Sequence, residues 1–179
     1  MNVIDTENFT CDEISFLDDF NQPIDDLELP ENIKFIKFGD NFNQSIENVK
    51  WNENLALIYF GKNFNQPIEN VKWNEGIEDI YFGDDFNQPI ENVKWPRSLN
   101  KIYFGDNFNQ PIENVDWSAI IEIRFGKNFN QSIDDVEFPA SVKYVITQDR
   151  LRDESEDDEE DEEEDEENEE EDEDLYCFH

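Results

Sequence analysis

Apolar residues return at fixed and regularly spaced places along most of this chain. The stretch F-N-Q-P-I-E-N-V-K-W, followed after a short gap by I-Y-F-G, is repeated with only small changes, one copy per unit of about 22 residues. A period of this length is typical of a solenoid, in which each unit buries its apolar face only against its neighbours. The pattern predicts six stacked units, which begin at Phe20, Phe42, Phe64, Phe86, Phe108 and Phe129, with the last step one residue shorter.

When each unit is numbered from its phenylalanine, positions 17 to 19 alternate between apolar and variable residues. The triplet Ile58-Tyr59-Phe60 is one example. Alternation of β-branched and aromatic residues predicts a strand at these three positions, with the outer two side chains pointing inward. Glycine follows at position 20 in five units. A glycine that closes a short strand is expected to supply a positive φ, so that the chain turns there.

The other half of each unit predicts turns and a second extended segment. The sequence N-Q-P-I-E-N-V suits a single 3₁₀ turn, and V-K-W predicts a short extended piece on the opposite wall. Positions 11–13 vary as a loop does. Trp73 and Trp95 are each expected to pack against a neighbouring tryptophan on both sides. The predicted core columns are Phe at position 1, Ile at 5, Val at 8, Trp at 10, Leu or Ile at 14, Ile at 17 and Phe at 19.

The charge of the chain is strongly negative and concentrated near the C-terminus. The chain has 13 basic and 48 acidic residues. From Asp153 to Asp174, every residue is Asp or Glu except Ser155 and Asn168. A polyanion of this density cannot bury apolar surface and is predicted to be disordered. The negative surface repels phosphates and anionic lipid, so neither nucleic acid nor membrane is an expected partner, and basic proteins are the natural complement.

These features predict three segments: a partial N-terminal repeat at 1–19, six repeats at 20–148 and a disordered acidic tail at 149–179. The N-terminus has neither the basic region nor the apolar region of a secretory signal. No apolar run approaches the ~18 residues that span a membrane. Cys11 and Cys177 lie at opposite ends of the chain, which favours a reduced, intracellular and cytoplasmic setting without a structural disulfide.

The motif F-N-Q-[PS]-I, placed after [IV]-x-F-G-[DK]-[ND], resembles the FNIP repeat, and the resemblance covers residues 14–147. This family is common in social amoebae and in giant DNA viruses that infect amoebae. FNIP repeats are grouped with leucine-rich repeats, and the spacing of Ile33, Ile36 and Phe38 is similar to their L-x-x-L-x-L. The resemblance implies a β-rich, leucine-rich-repeat-like solenoid with one short parallel strand in each of these repeated coils. For a viral protein it also implies the host cytoplasm as the compartment.

Some members of this family carry an F-box ahead of the repeats, which would connect them to ubiquitin ligases. In this chain, only the segment 1–19 precedes the first full unit. We expect this segment to be too short for an F-box domain. Ligase recruitment is therefore not implied.

An asparagine followed by glutamine recurs in every unit. Six copies of an amide allow two interpretations: a row of ligand-binding sites, or a ladder in which each amide bonds the backbone of an adjacent coil. The ladder is favoured because buried amides need partners and a stack of identical coils supplies them. The predicted ladder consists of Asn21, Asn43, Asn65, Asn87, Asn109 and Asn130.

The outward side chains of the strands form the candidate binding surface. Tyrosine and arginine at position 18 are residue types enriched at protein–protein hot spots. The alternative is that stacked tyrosines stabilise the sheet by cross-strand pairing, and both can hold at once. Position 16, beside this column, varies most, as a specificity-determining surface would. The candidate residues are Lys37, Tyr59, Tyr81, Tyr103 and Arg124 at position 18, with Phe35, Leu57, Asp79, Lys101, Glu122 and Tyr144 at position 16.

The sequence gives little support to catalysis or to a cofactor. The single histidine is His179, the last residue, so a Ser-His or Cys-His pair held in a rigid site is not expected. Phosphate-binding glycine motifs and the D-x-D-x-D-G calcium pattern do not occur. Cys177 and His179 alone make a poor metal site. We therefore expect no enzyme activity, no cofactor and no metal.

The favoured function is a non-catalytic protein–protein interaction scaffold that binds through its exposed strand face. One alternative is a polyanionic binder or chaperone of basic proteins, which acts through the acidic tail. The other is a structural repeat protein without a specific partner.

Overall fold

The computed structural model describes residues 12–147, which form a parallel-strand solenoid. Each coil contributes one three-residue strand, and the strands pair in register with their neighbours in chain order. This architecture confirms the predicted leucine-rich-repeat-like fold with one strand per coil. The strands of the single sheet are β1 (Glu13–Ser15), β2 (Phe35–Lys37), β3 (Leu57–Tyr59), β4 (Asp79–Tyr81), β5 (Lys101–Tyr103), β6 (Glu122–Arg124) and β7 (Tyr144–Ile146).

Each strand covers positions 16–18 of its unit, one residue earlier than predicted. Position 17 is buried in β1 to β6, as at Ile58, and partly buried at Val145 in β7, and its neighbours on the strand face outward. Position 19 still joins the hydrogen-bonded ladder: the N–H of Phe60 donates to the carbonyl of Tyr81 in the next coil at 2.8 Å. The predicted inward and outward positions are therefore confirmed, although the strand bounds shift.

Three β-turns close each coil. Burial alternates along the V-K-W stretch as the predicted extended piece requires, with Val71 and Trp73 buried and Lys72 exposed, although every strand within residues 12–147 belongs to the single sheet. The predicted 3₁₀ turn is instead an isolated β-turn. One turn is enough there because Ile68 and Val71, at its two ends, both reach the core. In a typical coil the closing bonds run from the N–H of Phe64 to the carbonyl of Gly61, from Val71 to Ile68 and from Ile77 to Asn74, at 3.2–3.4 Å.

The glycines at position 20 are required for close backbone contact between coils. The predicted positive φ is wrong, because all five have φ outside the left-handed region. A Cβ added to Gly83 would lie 2.0 Å from the carbonyl oxygen of Gly61 in the preceding coil. Leu17 occupies the same column in the first described coil, where it is 77% exposed and no coil precedes it within residues 12–147. Within residues 12–147, the column is therefore glycine wherever one coil follows another.

Stacked phenylalanines form the centre of the core. The ring of Phe60 lies 4.1 Å from that of Phe64 in the same coil, and Phe64 lies 6.1 Å from Phe86 in the next. The same contacts recur along the solenoid from Phe16 to Phe129. Burial of each phenylalanine side chain contributes about 1.5–3 kcal/mol to folding. The solenoid is thus stabilised by neighbour contacts repeated from coil to coil.

The tryptophan column is interrupted once. Trp73 stacks on a tryptophan on each side, as predicted, at 6.1 and 6.3 Å. Trp95 stacks only on Trp73, whereas Trp117 packs against Phe138. The prediction for Trp95 is wrong because the following unit lacks one residue in its loop, just after Trp117. Trp95 is partly exposed there, beside a depression of about 430 Å³ that Asp116 also lines.

Candidate functional site

The predicted strand-face residues share one surface of the sheet. Alternate residues of a strand point to the same side, and in-register pairing places equivalent residues of successive strands next to each other. Tyr59 is paired in register with Lys37 on one side and with Tyr81 on the other. In the neighbouring column, Leu57 lies between Phe35 and Asp79. The structure therefore brings the two predicted columns together as adjacent rows.

The tyrosines of position 18 form a continuous stack that ends on an arginine. The rings of Tyr59 and Tyr81 are 4.1 Å apart and nearly parallel, and those of Tyr81 and Tyr103 are 4.4 Å apart and tilted. The guanidinium carbon of Arg124 lies 4.9 Å from the ring centre of Tyr103, which is a cation–π distance. Burial, together with a hydrogen bond to Tyr59, raises the pKa of Tyr81. The Tyr81 hydroxyl therefore stays protonated at neutral pH.

The end of the face nearer the C-terminus is a polar cluster whose side chains hydrogen-bond to one another. The hydroxyl of Tyr103 donates to Oε1 of Glu122 at 3.0 Å, and Nε of Arg124 donates to the same oxygen at 2.6 Å. Burial acts to raise the pKa of Glu122, but these two hydrogen bonds outweigh it, and the pKa falls below its usual value. The pKa of Arg124 is raised by its bond to Glu122. This carboxylate and guanidinium are therefore already engaged with each other.

Two further charges of position 16 lie beside this cluster. Asp79 is paired in register with Lys101, which in turn is paired with Glu122. Burial raises the pKa of the Asp79 carboxyl, while the positive charge of Lys101 opposes the shift. We call Asp79, Lys101, Tyr103, Glu122 and Arg124 the polar half of the strand face.

The other end of the face is mainly apolar. Phe35 and Tyr59 are 36% and 39% exposed, and Leu57 between them is partly exposed. Lys37 is exposed beside them, and within residues 12–147 no carboxylate lies at ion-pair distance from it. We call Phe35, Lys37, Leu57 and Tyr59 the apolar half. The sequence analysis treated the face as uniform, although the change from Phe and Leu to alternating charges along position 16 signals the division.

The recurring asparagines lie between coils and bond the next coil. Oδ1 of Asn43 accepts the backbone N–H of Asn65 at 3.0 Å and Nε2 of Gln66 at 2.9 Å. Because the amide oxygens are used in these bonds, the geometry favours a structural ladder over a row of ligand sites. The same pair of bonds links each successive member of the series Asn21, Asn43, Asn65, Asn87, Asn109 and Asn130.

Other candidate chemistry is sparse in the part of the chain that the structure describes. Residues 12–147 contain no group of three or more His, Cys, Asp or Glu side chains arranged to hold a metal ion. Over the same residues, no helix has the length and apolar character needed to cross a membrane. Cys11, Cys177, His179 and the acidic tail, with its predicted disorder, lie outside the described residues.

Comparison with known proteins agrees with the resemblance seen in the repeat. The family model of the FNIP repeat matches residues 20–49. Among solved structures, the chain is similar to the giant-virus protein CroV588, described as a novel circular LRR protein, with a TM-score of 0.64 and 43% identity. The match covers 72% of this chain and 19% of that protein, so this chain spans about a fifth of its length. No match was found among the curated proteins. The repeat matched at residues 20–49 recurs in register through the solenoid.

Proposed function

We propose that the protein is a non-catalytic interaction scaffold that binds a partner protein through its strand face. The observation that carries this proposal is the exposure of large apolar side chains on that face. Four large hydrophobic residues stand out as exposed within residues 12–147, and three of them, Phe35, Tyr59 and Tyr144, lie on the strand face. Exposed aromatic side chains on a rigid surface are typical anchors of protein–protein contacts.

The variation along the face supports the same function. The buried columns at positions 1 and 5 keep phenylalanine and isoleucine in all six units, whereas position 16 runs from Phe35 through Asp79 to Tyr144. A partner lying across several strands would therefore meet a different residue at each coil. The rigid sheet holds these side chains at fixed spacing, which lowers the entropic cost of binding. Recognition would be set by the order of residues along position 16, with the tyrosine stack as the shared platform.

A triple substitution of the tyrosine stack tests the proposal. In the full chain, replacing Tyr59, Tyr81 and Tyr103 with serine should abolish capture of a partner that the wild-type chain binds, while the circular dichroism spectrum stays unchanged. The matched control replaces exposed residues at a corner away from the sheet, Glu69 and Lys72, with serine, and should bind normally. A photoreactive aromatic residue at position 59 should cross-link the partner, and one at position 69 should not. Retained binding by a folded triple variant would refute the strand-face function.

The acidic tail motivates a second candidate function, the binding of basic proteins. The support is its charge, since all but two of the residues from 153 to 174 are acidic. Such a charge attracts cationic surfaces over about one Debye length, roughly 8 Å at physiological salt. Replacing the acidic residues from 157 to 167 with Asn and Gln should abolish capture of a basic protein if the tail carries the function, and should leave it intact if the strand face does. A structural repeat without a specific partner predicts no effect from either set of substitutions.

A further inference from the structure

The apolar half of the strand face has a composition that selects for a particular kind of ligand. Phe35, Leu57 and Tyr59 form a contiguous apolar surface, and Lys37 adds a positive charge at its edge that has no ion-pair partner among residues 12–147. Glu13 is paired in register with Phe35 on the opposite side, so a negative charge on the ligand would be favoured only near Lys37. The complementary ligand is therefore a short apolar segment that has an acidic flank.

The chain itself contains such a segment at its C-terminus. Beyond residue 147, apolar side chains are confined to Leu151 and to Leu175–Phe178. The latter directly follow the acidic residues 169–174 and lie one residue from the terminal carboxylate. We propose that this C-terminal tip, Leu175–Phe178, binds the apolar half of the strand face. The inference rests on the face that we propose for partner binding and adds an occupant that competes for it.

The length of chain between the sheet and the tip is sufficient for this contact. Strand β7 lies four strands from β3 and five from β2, a distance of about 19–24 Å at a strand spacing of about 4.8 Å. The segment from 148 to 174 spans up to about 90 Å when extended. A tether of this kind gives an effective concentration on the order of millimolar. A weak intrinsic affinity is therefore enough to keep the face occupied for much of the time.

Charge decides which part of the tail makes the contact. Residues 12–147 contain 11 basic and 25 acidic residues, so the body repels the acidic run. The four residues Leu175–Phe178 carry no charge at neutral pH and can approach an apolar surface without this penalty. The other exposed aromatic of the face, Tyr144, adjoins Glu122 in the polar half and lacks an apolar neighbour in its own column. The apolar half therefore suits the tip better than the nearer end of the sheet does.

Occupation of the face by the tip would regulate partner binding. A partner with the same chemistry, an acidic segment that carries aromatic or aliphatic side chains, would have to displace the tip. A partner without such a segment would compete poorly. The tip and such a partner would therefore compete for the same surface.

The natural cysteine in the tip allows a direct test in the full chain. With Cys11 replaced by serine, a nitroxide spin label is attached to Cys177, and the loss of amide signal in the solenoid is measured by NMR against a diamagnetic label. We expect the amides of Phe35, Leu57 and Tyr59 to lose more intensity than those of β7, although β7 is closest along the chain. Signal loss that is greatest at β7, or absent from the sheet, would overturn the proposal.

Three further measurements serve as controls for this test. Replacing Leu175, Tyr176 and Phe178 with serine should remove the signal loss, as should serine at Phe35 and Leu57, whereas Tyr144→Ser should leave it unchanged. A second label position, with Asp174→Cys in a chain lacking both native cysteines, should give the same pattern if the label itself does not drive contact. Signal loss in an unlabelled ¹⁵N chain mixed with a spin-labelled ¹⁴N chain would assign the contact to a second copy and refute the intramolecular contact.

The readout is independent of partner capture. A tip that does not bind leaves the strand-face function untouched. A strand face that captures no partner is still able to bind the tip.

Discussion

The buried columns of the solenoid and its strand face obey different constraints. Along the core, Phe64 is followed by Phe86 and then Phe108, and each ring is packed by an identical ring above and below. On the face, Leu57 is followed by Asp79 and then by Lys101, although the backbone register is the same. A buried side chain is enclosed by two neighbouring coils and the core, whereas an outward side chain has two strand neighbours but is open to solvent on its outer side. Variation in residue type is therefore concentrated on the face.

The closest contact in the core is made by glycine, and breaking it should have the largest effect. Gly83→Ala would place a Cβ 2.0 Å from the carbonyl oxygen of Gly61. Backbone cannot move aside as a flexible side chain can, so we expect a loss of at least about 3 kcal/mol in the free energy of unfolding, at the upper end of overpacking costs. Urea denaturation followed by circular dichroism measures this loss.

Leu17 provides the matched control for the glycine column. It occupies the same position in the first described coil and is mostly exposed. Leu17→Ala should therefore change stability by less than about 0.5 kcal/mol, as is usual for surface substitutions. Similar losses at positions 17 and 83 would contradict the close-contact explanation.

Substitution of one tryptophan in the core and of one tyrosine on the face compares the two regions with side chains of similar size. Trp73 is buried with a stacked tryptophan on each side, and its replacement by alanine should cost about 3–5 kcal/mol. Tyr81 is only partly buried on the face, and Tyr81→Ala should cost about 1–2 kcal/mol, mainly through lost ring contacts. Thermal melts of the two variants decide the order. Equal losses would mean that the inward and outward positions have been assigned wrongly.

Trp95 allows a comparison of more and less buried tryptophans within the same core column. It stacks on one side only and is partly exposed. Trp95→Ala should therefore destabilise the solenoid less than Trp73→Ala does. A larger loss at Trp95 would show that the depression beside it is closed in solution.

The sequence predicts the elements of this fold better than the contacts that maintain them. Alternation around Ile58 predicted the buried residue correctly and the strand to within one residue, because a fixed period aligns equivalent positions of every unit. The same alignment shows that glycine recurs at the position of Gly83. It does not show whether a positive φ or a close backbone contact requires glycine there, since either would. The exposure of Trp95 depends on how a loop one residue shorter moves Trp117. The division of the face depends on hydrogen bonds around Glu122, and a repeat pattern does not specify these.

Two carboxylates of the polar half should make opposite contributions to the pH dependence of stability. The pKa of Glu122 is lowered in the folded protein from an ordinary value of 4.5. Its contribution is therefore present above that value and is lost as the pH falls through the lowered pKa. The pKa of Asp79 is raised from 3.8 by burial, so its charge disfavours folding at neutral pH, and stability is regained as the pH falls through the raised pKa.

Glu122→Gln should therefore remove part of the acid-induced loss of stability, and Asp79→Asn should remove part of the acid-induced gain. At pH 7 the first variant should be less stable than the wild-type chain, and Asp79→Asn should be slightly more stable. Each difference should be below about 1 kcal/mol because Arg124 and Asp79 remain partly solvated. Urea midpoints at pH 7, 5 and 3 measure both effects, and subtraction from the wild-type profile removes the contribution of the other carboxylates.

Parallel profiles for all three proteins would mean that the Glu122 cluster is not formed in solution. In that case the polar half would be as available to a partner as the apolar half, and the division of the strand face would lose its physical basis.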